Sequence, residues 1–65
     1  MEILLLKLRG KRVEKNLTQK DMAKLLGISQ NAYNLKELGK REFVTSEINL
    51  LLNILGCKYE DIFLQ

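Results

Sequence analysis

The sequence predicts an all-α fold, a compact bundle of four to five helices. Three observations carry that expectation. No Pro interrupts any of the 65 residues. Apolar residues recur at spacings of three and four rather than two, the period of a helix with one buried face. Glycines at 27, 39 and 56 stand where the periodic segments stop, as residues that take the left-handed backbone conformation closing a helix. At this length the chain reads as one domain, 1–65. It is small enough that folding buries only about 60% of the unfolded surface, so most apolar residues must share one core.

The elements follow in order. The first helix runs from about Leu5 to Lys15, with Leu5 and Leu8 on one side, continued by the stems of Lys11 and Arg12, and Asn16 as its terminator. Thr18 starts the second, where its hydroxyl accepts from the first free N–H groups and Asp21, three residues on, completes a capping box. Met22, Ala23, Leu25 and Leu26 are its apolar set, and Gly27 ends it. Ser29 is the N-cap of a third helix that reaches about Leu38 before Gly39. Thr45 or Ser46 opens a fourth, whose Ile48, Leu51, Leu52 and Leu55 fall at i, i+3, i+4 and i+7 before Gly56. The tail KYEDIFLQ is long enough for one or two further turns, with Ile62 and Phe63 the residues to bury. The leading MEILLL reads either as the first turns of the first helix or as a short strand.

Composition removes several classes of function. The longest apolar runs, ILLL and LLL, are far short of the roughly 20 residues of a membrane span, and the amino terminus has neither the basic flank nor the cleavage site of a signal peptide, so a cytoplasmic protein with no membrane partner is expected. Cys57 is the only cysteine and there is no His, which excludes an internal disulfide, a Cys–His metal site and a Cys–His nucleophile pair. Cys57 reads as a small buried hydrophobe. No metal, no cofactor and no small-molecule ligand is implied. With no nucleophile–base pair recognisable and little room for a cleft, the chain does not read as an enzyme.

Charge is distributed unevenly. From Lys7 to Arg41 there are ten Lys and Arg against three acids, whereas from Glu42 onward one Lys faces four acids, within an overall balance of +3. That asymmetry suggests one basic face suited to a polyanion.

The second and third helices are short, are joined by a tight turn, and have a small Ala23 where the helices cross and Gly27 in the bend, which is the pattern of a helix-turn-helix over about 18–38. Counting from Gln19 as position one, the small residue falls at five, the glycine at nine and Tyr33 at fifteen. The stretch LTQKDMAKLLGIS, the following KELGKR and the later LLLNILGCKYEDIF together resemble, over about Leu8 to Ile62, the small helix-turn-helix regulators of the phage repressor and Cro family. One residue departs. Position eighteen is usually an aliphatic core residue and here is Lys36. Either its stem lies over the core with the ammonium reaching water, which we favour because Tyr33 fills part of the missing volume, or the third helix is rotated and Leu35 takes part of the burial.

The resemblance implies roles. It pairs Arg12, late in the first helix, with Glu37, two residues before Gly39, as an ion pair holding the third helix against the first. It sends the third helix into the major groove, where the amides of Gln30 and Asn31 both donate and accept, as adenine's N6 and N7 require. Asn34 and Leu35, one turn on, share that face, and Leu35 suits a thymine methyl. Gln19 points to the DNA backbone, and Lys40 and Arg41 grip phosphates. The expected partners are a double-stranded DNA operator and a second copy of the chain, with transcriptional repression as the outcome. Ile62, Phe63 and Leu64 are the expected dimer contact, joined by the leading MEILLL. The rival is a helical protein-interaction module, such as the antitoxin part of a toxin–antitoxin complex, whose basic face meets an acidic protein.

Overall fold

Five helices and one pair of two-residue strands follow one another as β1 (Glu2–Ile3), α1 (Leu5–Glu14), α2 (Gln19–Leu26), α3 (Gln30–Glu37), α4 (Thr45–Leu55), α5 (Tyr59–Ile62) and β2 (Phe63–Leu64). The structure is a computed structural model that describes residues 2–3 and 5–64, with the side chains of 2, 3 and 64 outside the description. Within the leading MEILLL, Met1 and Leu4 lie outside the described residues, residues 2–3 are strand, and the helix starts at Leu5. β1 runs antiparallel to β2, Glu2 opposite Leu64 and Ile3 opposite Phe63, so the two ends of an otherwise all-α fold are tied together. Among the described residues no helix is long and apolar enough to cross a membrane.

Local chemistry sets the helix ends. α1 stops where Asn16 takes a left-handed conformation (φ 59°), which asparagine tolerates better than most residues. At the start of α2 the Asp21 N–H donates to Thr18 Oγ1 (3.1 Å) and the Thr18 N–H to the Asp21 carboxylate (3.0 Å), a complete capping box. Gly27 ends α2 at φ 73°. Ser29 accepts from the Ala32 N–H at 3.0 Å to open α3. Beyond α3, Gly39 sits at φ 82°, a conformation that favours glycine, and a Cβ there would stand 2.9 Å from Leu5 Cδ1, which would have to move aside. α4 opens at Thr45, one of the two starts expected from sequence, with Val44 as an N-cap that has no side-chain acceptor; Glu47 accepts the Val44 N–H at 3.0 Å, the other half of a capping arrangement.

The core comprises Leu8 of α1, Met22, Ala23 and Leu26 of α2, Tyr33 of α3, Leu51 and Leu55 of α4, and Ile62 and Phe63 at the carboxy-terminal end. Ile48 and Leu52 of the expected α4 stripe are half-buried against it. Leu25 corrects the apolar set assigned to α2: it is 51% exposed, because at 3.6 residues per turn it lies roughly 100° around the helix from the face that Met22, Ala23 and Leu26 turn to the core. Ile62 and Phe63 require a second correction. They are 0% and 6% exposed within the single chain, and Phe63 stacks on Tyr59 with ring centroids 4.4 Å apart. Their side chains therefore offer no surface to a partner. Burying each contributes roughly 1.5–3 kcal/mol to the fold, which withdrawing them for a dimer contact would forfeit. The side chain of Leu64, the third residue of that expected contact, is outside the description.

Candidate nucleic-acid interface

α3 is held by its inward side. Arg12 of α1 donates from Nε to Glu37 Oε2 (2.9 Å) and from Nη2 to Oε1 (3.1 Å), a two-pronged contact that fixes the carboxylate's plane as well as its position. The third prong, Nη1, donates to the Leu17 carbonyl at 2.7 Å, which ties the α1–α2 connection to the same guanidinium. Tyr33, one turn before Glu37, donates its hydroxyl to Oε2 at 2.5 Å, and Gln19 of α2 donates its amide to Oε1 at 3.2 Å. One carboxylate thus gathers α1, α2 and α3. Burial pulls the Glu37 pKa upward, but the hydrogen bonds from Arg12, Tyr33 and Gln19 outweigh it and leave the carboxyl below its ordinary range. The hydrogen bond to Glu37 raises Arg12 in turn, and burial beside a carboxylate pushes the Tyr33 hydroxyl up, so it remains a donor.

The other clamp is at Lys36. Its ammonium is paired rather than left free at the surface, and Leu35, its neighbour on α3, is half-buried. Lys36 Nζ meets Glu47 Oε1 of α4 at 2.5 Å, with the two side chains 11% and 10% exposed, and it lies 6.0 Å from the centre of the Phe43 ring. Phe43 also meets Tyr33 edge-on at 6.1 Å. Neither Glu47 nor the Tyr33 hydroxyl figured in the expectations drawn from sequence. A signal existed for Glu47: a lysine at a core position demands an anion, and a carboxylate at the third position of the next helix is already aimed back toward its start.

With the inward side committed, the outward side of α3 presents amides. Gln30 and Asn31 are exposed, Asn34 is half-buried, and together with Gln19 they line one shallow groove. Leu35 lies on α3 but outside that groove's lining, half-buried. Gln19 does not stand free as a phosphate contact: its amide donates to Glu37, which makes it a strut between the ion pair and the amide-lined groove. Lys40 and Arg41 are exposed just past Gly39, where their backbone N–H groups both bond the Leu35 carbonyl and hold them against the end of α3. Of the ten cations between residues 7 and 41, Arg12 and Lys36 are neutralised within the chain, so the basic surface rests on the other eight.

A family model described as helix-turn-helix matches residues 8–62. No curated protein and no solved structure matches the chain.

Proposed function

The chain belongs to the Cro/C1-type helix-turn-helix family, whose members are DNA-binding transcriptional regulators, and from that premise we propose that it binds a specific double-stranded operator as a homodimer and represses transcription by occupying it. The observation that supports this reading best is the shape of α3: Glu37 and Lys36 lock its inner side, while Gln30, Asn31 and Asn34 are left along an open groove. An exposed Gln or Asn amide can donate and accept at once, which is what discriminates adenine in the major groove. Lys40 and Arg41, at the end of the same helix, supply phosphate contacts that fix register without reading sequence. One such helix covers only a few base pairs. Two related by a two-fold axis read half-sites about 34–36 Å apart, which supports a dimer as the working unit. Repression follows as the simplest consequence, because an occupied promoter excludes other proteins with no added contact surface.

The test is fluorescence anisotropy against random duplex over a salt series, followed by selection of bound sequences from a random pool. Weak retention that falls steeply with salt, and selected sequences with two related half-sites about 10 base pairs apart, are expected. Absence of any salt-dependent duplex binding removes the reading in favour of a protein partner for the basic face.

A further inference from the structure

The side of α1 turned away from the core carries Leu6, Gly10 and Val13, spaced i, i+4 and i+7 and therefore one above another. Leu6 is 83% exposed and Val13 is 58% exposed. A Cβ added at Gly10, between them, meets nothing within 4 Å. Among the described residues there is thus no steric reason for glycine in the middle of a ten-residue helix, where it is destabilising relative to alanine. A second helix crossing at that point supplies one, since two backbones approach closely only where no Cβ intervenes.

We propose that this stripe is a self-pairing surface, on which α1 of a second copy of the chain docks antiparallel with Gly10 at the crossing. The proposal rests on the homodimeric DNA-binding reading for its purpose, not for its geometry. The choice of a second copy comes from charge. Lys7 and Glu14, two turns apart, lie on one flank of the stripe and Arg9 on the other. In an antiparallel pair related by a two-fold axis, like flanks meet. Residue 7 of one copy then stands opposite about residue 14 of the other, and two Lys7–Glu14 pairs form.

The same axis turns both Arg9 flanks in one direction. Arg9, with Leu6 at the edge of the stripe, lines a groove with Gln19, Asn34 and Leu38, and Gln19 and Asn34 also line the groove of Gln30 and Asn31, so this flank borders the proposed DNA side. The two Arg9 side chains repel until an anion screens them, and duplex phosphate is such an anion. A single helix pair also buries less than the about 1,200 Å² of a stable free dimer. The pair is therefore weak in solution and is completed on DNA, where neighbouring half-sites raise the effective concentration.

Sedimentation equilibrium of the full chain at about 0.15 M salt decides the surface. The wild type is expected to show a reversible monomer–dimer equilibrium at concentrations below about 1 mM. Gly10→Gln should weaken it tenfold or more while raising the melting temperature, because glutamine favours the helix and the fold leaves room for it. Lys7→Glu and Glu14→Lys should each weaken it several-fold, and the double swap should restore it. A chain that stays monomeric throughout, or a Gly10→Gln variant that dimerises as tightly as wild type, overturns the proposal. Binding of the wild type to a duplex with a single half-site, measured alongside, tests the DNA reading separately: the sedimentation result stands whichever way that comes out.

Discussion

Lys36 and Glu47 form an ion pair with about nine-tenths of each side chain out of water, and it joins α3 to the start of α4 at a place where an aliphatic contact would suffice. Glu47 has two duties there, as counter-ion to Lys36 and as acceptor for the Val44 N–H that caps α4. Removing one partner from such a pair costs more than the pair contributes when intact, because the survivor is left charged in a poor solvent.

Glu47→Ala is therefore expected to destabilise by about 3–5 kcal/mol, with the loss of the α4 cap included. The double variant Lys36→Met, Glu47→Gln removes both charges, keeps volume and leaves an acceptor for Val44, so it should lie near or above wild type. Urea denaturation measures both. A Glu47→Ala variant as stable as wild type would mean that the pair is not buried in solution.

The Arg12–Glu37 cluster gives a graded series. Arg12→Ala leaves the buried Glu37 without a counter-ion, held only by the neutral donors of Tyr33 and Gln19, and should cost about 3–5 kcal/mol, whereas the exposed Lys15→Ala should fall within about 0.5 kcal/mol of wild type. Tyr33→Phe removes one donor to a carboxylate that keeps three others, so roughly 1–2 kcal/mol is expected. Equal melting temperatures for the Arg12 and Lys15 variants would contradict the clamp.

Both clamps make stability sensitive to acid in one direction. Burial acts to raise Glu37 and Glu47, but the hydrogen bonds from Arg12 to the first and from Lys36 to the second win, and both carboxyls lie below their ordinary 4.5. Groups depressed in the folded state contribute fully above the unfolded value, and their contribution drains as pH falls through 4.5 toward the folded values. The urea midpoint should hold level from about pH 7 to 5.5 and then fall, less steeply in the Lys36→Met, Glu47→Gln variant. Identical acid profiles for that variant and wild type would show that Glu47 is not held ionised by Lys36.

On the proposed DNA face, base contacts and phosphate contacts are separable by substitution. Gln30→Ala should cost about 1–3 kcal/mol on the selected operator and relax preference at one position of each half-site, leaving random duplex nearly unaffected. Lys40→Ala or Arg41→Ala should weaken operator and random duplex by similar factors and lower the salt slope by about 1 for each phosphate no longer neutralised. The reverse pattern, with Gln30→Ala weakening both duplexes alike, would mean that α3 docks with a different edge.

The features legible from residue order alone were local: where helices start and stop, which family pattern they make, and which residues stand at its offsets. Thr18 with Asp21, Ser29 and Gly27 act on backbone groups within four residues of themselves, so their effect is written in the order of the chain. Arg12 and Glu37, 25 residues apart, were legible only through a resemblance that already encodes a fold. The tertiary structure alone decided the rest. That Lys36 would turn inward to Glu47 and that Gln19 would brace the ion pair both depend on which partner lies across a helix interface. Periodicity says which side of a helix is apolar. It does not say what stands opposite, and a long polar side chain such as Lys36 takes its direction from the charge it meets there.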